Sequence, residues 1–482
     1  MTRTDRLLCL TLFVVLSSIY FATVSGITCS NDGSHYALTR ALAEEGRFTI
    51  ESYDGYAEGN DVAVRDGKLY SDRPPGTALM ASAFYGIGNW LPSPLIPLES
   101  RHDPGNPRLL YVMLVPVWAG TGTVLLLYLL LRELNLSVFS ALTASVAFAL
   151  GTAHWKYSSV LFSHAPSALL VLSSVYLVVR MGRTSQRHWS LPFALGLLAG
   201  CSMLVEYSNA ILVAAAALYL MLAVEAPSSR GQLVKAGLFV AGGLLPAGFL
   251  AFYNTVNFGG PLRLSYDYAI NYPWAGDLQE TFSFPLVQGL RAMLIWGEGG
   301  GWCDPTCYNQ GLFLLSPVLL LSVLGVRLYV RRARSESILT LGLFLTYLLL
   351  FAKHRTFHGF TADGRYLVPF LALWCIPLAF YVDELVAWVD HPVRQALAYL
   401  ILYGAFFLSV RNIFLHIGFS YNYQLDLSQL SPMVVQPGNW SYLLGQVFRN
   451  VNNLPLLWLS DGLALLMGLG IWKARSHLPS RR

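Results

Sequence analysis

The segment 70–76, YSDRPPG, has residue types and spacing that suit phosphate binding. Proline is tolerated in the first turn of a helix, and the apolar residues 76–91 have helical spacing, so a helix is predicted to begin here. Tyr70, Asp72 and Arg73 then stand at the start of that helix. Free backbone amides and a guanidinium together make an anion site. The alternative is that Arg73 only contacts lipid headgroups.

A second helix is predicted upstream, from Tyr36 to Glu45, because its apolar residues recur with helical spacing and its charged residues lie opposite. Gly46 is expected to end it. Asp32 or Ser34 stands where an N-cap residue belongs, so helix capping is one interpretation of Asp32. Both helices are expected to lie at a membrane surface.

The composition indicates that these helices belong to a membrane protein. The chain of 482 residues is 55% hydrophobic and only 12% charged, with a mean hydropathy of +0.49, whereas soluble proteins carry about 25% charged residues. A soluble enzyme, a disordered protein and a disulfide scaffold are excluded. The net charge of +5 is dispersed over short loops, so no nucleic-acid partner is expected.

The predicted fold is an all-α polytopic membrane protein with about twelve transmembrane helices, each of about 20 residues, and juxtamembrane helices in a large first outer loop. The chain is treated as one transmembrane domain, 1–482. The candidate spans are 7–25, 109–131, 137–153, 163–180, 190–205, 207–224, 235–255, 311–328, 338–352, 366–382, 395–412 and 454–472.

Positive charge sets the predicted orientation. Lys and Arg accumulate in the short loops on one side, which places both termini in the cytoplasm. Three long loops, 26–107, 256–310 and 413–453, then lie outside the plasma (inner) membrane. Alternatively, the first segment is a signal peptide cleaved near Val24-Ser25-Gly26, which leaves eleven spans.

The first outer loop and several later segments resemble the GT-C superfamily, the integral-membrane glycosyltransferases that use polyprenyl-phosphate sugars and include protein O-mannosyltransferases and the lipid A aminoarabinose transferase. An Asp after the first span, a juxtamembrane helix and a Y-x-x-[KR]-P-P-G turn carry the resemblance. Further matching segments are ALGTAHWKYSSVLFSHAPSALL (149–170), LVEYSNA (204–210), YNTVNFGGPL (253–262), NQGLFLLSPVLLL (309–321) and GRYLVPFLAL (364–373).

The resemblance implies roles for particular residues. Asp32 matches the acidic residue that acts as general base, although the family's Asp-Glu pair is absent because Gly33 follows it. Tyr70 and Arg73 match the pair that binds the donor phosphate, with Asp72 as a supporting or second carboxylate. The long loops 256–310 and 413–453 are expected to cover the active site, and WGEGGGWCDPTC (296–307) is either a mobile lid or a passive turn.

Later residues are added to the predicted site from their positions at outer helix ends. His164 begins a span and either binds phosphate or caps the helix. Arg365 and Tyr366 begin another, and an arginine there is costly unless it is paired or faces a cavity. Glu206 is a possible partner for one of the arginines. Lys156, Lys353 and Arg355 are interpreted as interfacial side chains that reach toward water.

Neither a metal nor another cofactor is expected. His354 and His358 have the helical spacing of two ligands, but no third ligand is evident. Nucleotide-binding and Ser-His-Asp signatures are missing, which suits a donor already activated on a lipid. Cys303 and Cys307 can form a short-loop disulfide if their side of the membrane is oxidising.

The expected function is transfer of a sugar from a polyprenyl-phosphate donor to a hydroxyl of a glycan, lipid or protein acceptor, with inversion at the anomeric carbon. Two alternatives remain open at this point. A secondary transporter or flippase needs internal repeats and charges near the membrane centre, and neither is found. A glycan polymerase or ligase ordinarily carries its large loop later in the chain.

Overall fold

The structure is a computed structural model that describes residues 2–24, 26–91, 106, 108–183, 189–224, 228–298, 308–356, 363–388, 390–418 and 462. Its first nine α-helices are α1 (Arg3–Ala22), α2 (Ser30–Arg40), α3 (Gly76–Ile87), α4 (Arg108–Val112), α5 (Leu114–Glu133), α6 (Val138–Gly151), α7 (His154–Tyr157), α8 (His164–Arg183) and α9 (Ser190–Val205).

Nine more helices follow in the described residues. They are α10 (Ala210–Leu222), α11 (Ser229–Phe258), α12 (Leu278–Thr281), α13 (Leu286–Leu294), α14 (Leu312–Leu315), α15 (Ser322–Arg332), α16 (Arg334–Ala352), α17 (Leu371–Ala387) and α18 (Pro392–Gly418). One π-helical turn (Ala41–Glu45) continues α2. The 3-10 helices are Glu51–Ala57, Tyr207–Asn209, Ser265–Tyr268, Pro273–Gly276, Pro317–Leu321 and Arg365–Phe370.

The predicted all-α membrane class is confirmed. Seven described helices are long and apolar enough to cross a membrane: Arg3–Ala22, Arg108–Glu133, His164–Arg183, Ser229–Phe258, Arg334–Ala352, Arg365–Ala387 and Pro392–Phe414. Four shorter apolar helices coincide with α3, α6, α9 and the region Tyr207–Leu222. The count of about twelve spans stays a prediction, and the last predicted span, 454–472, falls almost wholly outside the described residues.

One predicted span is broken. In place of a continuous helix over 311–328, α14 ends at Leu315, and a 3-10 helix over Pro317–Leu321 precedes α15. Proline cannot donate a backbone hydrogen bond, which interrupts the helix. The Val318 amide donates instead to Ser409 Oγ at 3.0 Å.

The described contacts divide the chain into two compact units. The first unit comprises Met1–Thr23, Gly120–Ser158 and Phe284–Arg482. Within it α15 packs on α17 so closely that a Cβ at Gly325 would overlap the Pro377 carbonyl. Asp5 of α1 accepts from Tyr128 at 2.8 Å and Arg132 at 3.0 Å, which ties α1 to α5.

The second unit comprises Val24–Ala119 and Ser159–Ser283, and its first segment includes all of 26–107, the predicted first outer loop. Helices α9 and α11 pack backbone to backbone, because a Cβ at Gly196 would overlap the Phe239 carbonyl and one at Gly242 the Phe193 carbonyl. Small residues allow such close packing in membrane helices.

A β-hairpin carries the YSDRPPG segment into position. Strand β1 (Val62–Arg65) pairs antiparallel with β2 (Lys68–Ser71), and Val62 lies opposite Ser71. Asp66 (φ 51°) and Gly67 (φ 74°) form the turn, and positive φ at both central residues is typical of a type I′ hairpin turn. A second hairpin, β3 (Trp296–Glu298) with β4 (Tyr308–Gln310), belongs to the first unit.

The two helices predicted in the first outer loop exist, with shifted ends. Helix α3 begins at Gly76 as predicted and ends at Ile87. Helix α2 begins at Ser30, earlier than the apolar spacing indicated, because polar residues occupy its first turn. Its N-cap is therefore Cys29, and the expectation that Asp32 or Ser34 is the N-cap was wrong. Gly46 (φ 63°) ends the π turn as predicted.

Candidate active site

The hairpin and α2 bring several polar side chains around Arg73. The Arg73 guanidinium forms an ion pair with Asp61 through Nη2. Its Nε lies 3.2 Å from Asp72 Oδ1. With its amide oxygen turned toward the arginine, Asn31 accepts from Nη2 at 3.0 Å and from Nε at 3.3 Å. The Nε–Nη2 edge of the guanidinium is therefore held by the protein itself.

The opposite edge of the guanidinium is open. Among the described residues Arg73 Nη1 makes no hydrogen bond or ion pair, and the side chain keeps 17% of its exposure. A guanidinium has five N–H donors in a fixed planar arrangement. A ligand can reach Arg73 through Nη1, whereas the bidentate Nε–Nη2 edge is occupied.

Serine side chains hold the carboxylate side of this cluster. Ser30 Oγ donates to the Asp61 carboxylate. Ser34 Oγ donates to the Asp61 carbonyl at 2.6 Å and lies 2.7 Å from Ser71 Oγ. Because α2, the residue before β1 and the end of β2 all contribute, the position of Arg73 depends on the whole hairpin.

Asp72 is almost fully buried, at 1% exposure. Burial raises the pKa of its carboxyl to about 8, because the charged form loses its hydration. The Arg73 charge 3.2 Å away opposes that rise. Its Oδ1 makes no hydrogen bond within the described part of the chain. Asp72 is thus a buried acid beside a cation.

Asp32 is also fully buried, and its carboxylate bonds back to the segment before α2. Oδ2 accepts from the Thr28 amide at 2.7 Å and the Thr28 hydroxyl at 2.9 Å, and Oδ1 accepts from the Cys29 amide at 2.8 Å. Burial raises its pKa to about 6, and these hydrogen bonds moderate the rise. Asp32 is therefore not the N-cap, but as the third helical residue it bonds back to the backbone before α2 and completes a capping box.

Gly33 explains why no second acidic side chain follows Asp32. The Tyr56 carbonyl packs directly on Gly33, and a Cβ there would overlap that oxygen. A Glu at position 33 would push the 3-10 helix over Glu51–Ala57 away from α2.

Tyr70 lies in a hydrophobic cluster with Ala63, Tyr253 and Phe258. Its ring meets that of Phe258 edge-on with centroids 5.4 Å apart. Adjacent strand residues point to opposite faces, so Tyr70 and Ser71 diverge, and Ser71 is the one that faces Ser34. The predicted role of Tyr70 in phosphate binding stays a prediction.

The predicted residues His164 and Glu206 lie in the same unit as Arg73. His164 is the first residue of α8 and is buried. Glu206 follows the last residue of α9 and accepts from Ser163 Oγ. The contact brings Glu206 next to the start of α8, where His164 stands.

A hydrogen-bonded path connects that helix junction to the Arg73 turn. Tyr207 OH lies 3.3 Å from Ser265 Oγ, and Ser265 Oγ donates to the Asp72 carbonyl at 2.7 Å. The Tyr266 ring packs edge-on against Tyr207 at 5.4 Å. The start of the second long loop therefore contacts the Arg73 turn.

Arg365 and Tyr366 belong to the other unit. Arg365 is 6% exposed and starts the 3-10 helix over Arg365–Phe370. Its guanidinium carbon lies 5.4 Å from the centroid of the Tyr366 ring. Their predicted part in phosphate binding stays a prediction.

Lys156 corrects an expectation. It is 4% exposed rather than reaching toward water. Its Nζ lies 2.8 Å from Asp363 Oδ2, and Tyr157 OH donates to the same carboxylate at 3.0 and 3.1 Å. The sequence did not suggest this buried ion pair.

Within the described ranges, no group of three or more His, Cys, Asp and Glu side chains is placed to hold a metal ion. His354 Nδ1 accepts from the Thr356 amide at 3.2 Å, and His358 lies outside the described residues. Cys303, Cys307, most of the glycine-rich segment 296–307 and most of the loop 413–453 also lie outside them.

Solved structures share this architecture. The oligosaccharyltransferase AglB from Archaeoglobus fulgidus, in complex with an inhibitory peptide and a dolichol-phosphate, matches with a TM-score of 0.53 and 13% identity, over 86% of this chain and 56% of that one. ArnT from Cupriavidus metallidurans bound to undecaprenyl phosphate matches with a TM-score of 0.51 and 10% identity, over 96% of this chain and 76% of that one. The chain has the GT-C fold.

A family model matches part of the chain. The model of the dolichyl-phosphate-mannose-protein mannosyltransferases matches residues 101–258. No curated protein sequence matches. The apo A. fulgidus oligosaccharyltransferase also matches, with a TM-score of 0.50 and 14% identity over 84% of this chain. The chain spans 56% of the length of both oligosaccharyltransferase chains.

Sequence reasoning missed two residues of this polar cluster. Asp61 pairs with Arg73, and His35 is fully buried on α2. The signal for Asp61 was present, since Asp66-Gly67 between two alternating segments is typical of a hairpin, and its register places residue 61 near residue 72. His35 had no distinguishing signal.

Proposed function

We propose that the chain is a membrane glycosyltransferase that moves a sugar from a polyprenyl-phosphate donor to an acceptor hydroxyl, with inversion. One observation carries the proposal. The Nε–Nη2 edge of the partly buried Arg73 is held by Asp61, Asn31 and Asp72, while its Nη1 donors are open to a ligand. A fixed cation aimed at a developing phosphate charge lowers the barrier for glycosidic cleavage.

The proposed step is a single displacement. The acceptor oxygen attacks the anomeric carbon while the bond from that carbon to the phosphate oxygen breaks. The bonding electron pair leaves with the phosphate, which becomes a dianion beside Arg73. The acceptor proton passes to Asp32. Alignment of donor and acceptor supplies much of the rate.

The protonation state of Asp32 suits the role of general base. With a pKa of about 6, its carboxyl is ionised at neutral pH and still basic enough to take a proton as the acceptor oxygen forms its new bond. Its hydrogen bonds to Thr28 and Cys29 hold the carboxylate in one orientation.

The proposed orientation in the membrane follows from the unequal distribution of Lys and Arg between the loops on its two sides. Both termini lie in the cytoplasm, and the first outer loop acts at the outer face of the membrane. Polyprenyl phosphate occupies the membrane with its headgroup at that surface. The acceptor, a glycan, lipid or protein hydroxyl, approaches from outside, and no nucleic acid or metal takes part.

The experiment is turnover of radiolabelled polyprenyl-phosphate sugars by purified protein, with membrane extract as acceptor. Wild type is compared with Asp32→Asn and Arg73→Gln. Asp66→Asn and Arg47→Gln make the same changes at exposed positions of the same loop and serve as controls. Wild type and both controls are expected to release polyprenyl phosphate, and the two site variants to lose that activity.

The other outcomes separate the parts of the proposal. Equal activity of Asp32→Asn would leave the enzyme class intact and move the base to Asp72 or Asp61. Absence of turnover of any sugar by folded wild-type protein would contradict the glycosyltransferase and favour a transporter, which flux assays would then test.

A further inference from the structure

His35 stands out among the buried polar side chains of the second unit. It lies on α2 three residues after Asp32, so the two side chains share one face of the helix. It has 0% exposure. Neither Nδ1 nor Nε2 has a hydrogen-bond partner among the described residues.

A buried imidazole without hydrogen bonds is costly. Nearly all buried polar groups in native proteins are paired, and an unmade hydrogen bond costs the full desolvation of the group. His154 provides the contrast, since it is equally buried but its Nε2 lies 3.0 Å from the Gly120 carbonyl oxygen. The cost at position 35 therefore requires a reason.

The charge next to His35 defines what it can offer. Burial and the nearby Arg73 charge lower the pKa of the imidazole to about 3, because both disfavour a second positive charge. A neutral imidazole has one N–H donor and one acceptor nitrogen. His35 thus presents one of each beside a guanidinium.

Other unpaired groups accompany it. Arg73 Nη1 is open within the described residues, and Thr77 Oγ1, in the first turn of α3, is fully buried without a hydrogen bond there. Helix α3 packs on α2. Donors beside a cation, together with neutral hydroxyl and imidazole groups, complement a phosphate that carries a sugar.

We propose that His35 is a ligand-binding residue that donates its ring N–H to the donor phosphate next to Arg73 and accepts a hydrogen bond from a hydroxyl of the attached sugar. The inference rests on the proposed function and adds a residue to it. It gives the unpaired nitrogens partners in the complex, so the cost of burying them is offset by ligand binding.

The test uses the full chain in lipid nanodiscs, with undecaprenyl phosphate as the probe. His35→Leu removes both nitrogens at similar size, and His35→Gln keeps a donor and an acceptor. We expect His35→Leu to raise the unliganded Tm and to weaken undecaprenyl phosphate binding at least about tenfold, the loss of one charge-assisted hydrogen bond. His35→Gln should stay within about threefold of wild type.

Controls separate this role from packing. His154→Leu removes a hydrogen-bonded imidazole, so its Tm should fall while undecaprenyl phosphate affinity is unchanged. Neutral polyprenol, which lacks the phosphate, should bind His35→Leu as it binds wild type. Inorganic phosphate is tested in parallel. If His35 recognises the phosphate group alone, His35→Leu should lose the same affinity for inorganic phosphate as for undecaprenyl phosphate.

Three results would overturn the inference. In the first, His35→Leu binds undecaprenyl phosphate as tightly as wild type. In the second, its Tm falls with no loss of affinity, which marks a structural side chain. In the third, the defect also appears with neutral polyprenol, which places the contact away from the phosphate. Failure of wild type to bind any polyprenyl phosphate would instead overturn the proposed function.

Discussion

Arg73 and Lys156 are both cations with little exposure, yet their surroundings differ. Lys156 is 4% exposed and pairs with Asp363 at 2.8 Å, while Tyr157 donates to the same carboxylate. Arg73 is 17% exposed, and only one edge of its guanidinium is held by protein groups. The Lys156 pair satisfies its carboxylate internally, which is typical of a structural contact. The Arg73 cluster leaves donors open, which is typical of a binding site.

The largest expected effect is the loss of stability when the Lys156–Asp363 ion pair is broken. Lys156→Met leaves the Asp363 carboxylate buried without its cation, and the free energy of unfolding should fall by about 3–5 kcal/mol. Thermal or denaturant unfolding in detergent measures it. The matched double variant Lys156→Met/Asp363→Leu should recover most of the loss. Turnover lost at unchanged stability would instead place Lys156 in a binding site.

The next effect concerns the open edge of Arg73. Lysine keeps the charge but lacks the planar arrangement of donors that reaches Asp61, Asn31 and a ligand at once. Arg73→Lys should lower kcat/KM for the donor by about 10- to 100-fold, the value of one or two charge-assisted hydrogen bonds. Arg47→Lys is the exposed control. Full activity of Arg73→Lys would show that only charge matters at this position.

A smaller effect depends on pH. The native Asp72 carboxyl has a pKa of about 8, against 3.8 for an unperturbed Asp. The native state therefore binds the proton more tightly, and stability falls as pH rises from about 4 to 8, by up to about 1.4 kcal/mol per unit. Asp32, with its pKa of about 6, also makes stability fall as pH rises, mainly below pH 6.

Asp72→Asn isolates this contribution because it cannot ionise. Between pH 6 and 8 the Tm of wild type should decline, and that of Asp72→Asn should decline less. Parallel declines in the two proteins would mean that Arg73 keeps Asp72 ionised throughout, which would make Asp72 a second permanent partner of the arginine.

The smallest effect is expected at Tyr70. Its ring packs against Phe258 in the hydrophobic cluster, and Tyr70→Phe keeps that packing. Stability should change by less than about 1 kcal/mol, with donor KM unchanged. A rise of tenfold or more in donor KM would show that the hydroxyl reaches the phosphate, as the resemblance implies, and would extend the site onto the other face of β2.

The hairpin shows how much local sequence can predict. Asp66-Gly67 between alternating residues contains its own turn signal, and recognition of the hairpin would have placed Asp61 beside the Arg73 turn. The helix start at Gly76 was predictable from the two prolines before it. The start of α2 was not, since its first turn is polar and is stabilised by the Asp32 hydrogen bonds rather than by apolar spacing.

Long-range pairs have no local signal. Lys156 and Asp363 are 207 positions apart, and nothing near either residue identifies its partner. The same holds for Ser265, which donates to the Asp72 carbonyl from 193 positions away. Tertiary packing decides such contacts, so residue type and spacing identified the candidate arginine but not the groups that occupy one of its edges.

The most direct test of the phosphate site at Arg73 is photoaffinity labelling. A polyprenyl phosphate with a diazirine on the isoprene unit next to the phosphate is cross-linked to wild-type protein, and labelled peptides are identified by mass spectrometry. We expect label within residues 31–36 or 70–77, competed by unlabelled undecaprenyl phosphate and lost in Arg73→Gln. Competed labelling confined to peptides outside 26–91 would contradict the assignment of the phosphate site to Arg73.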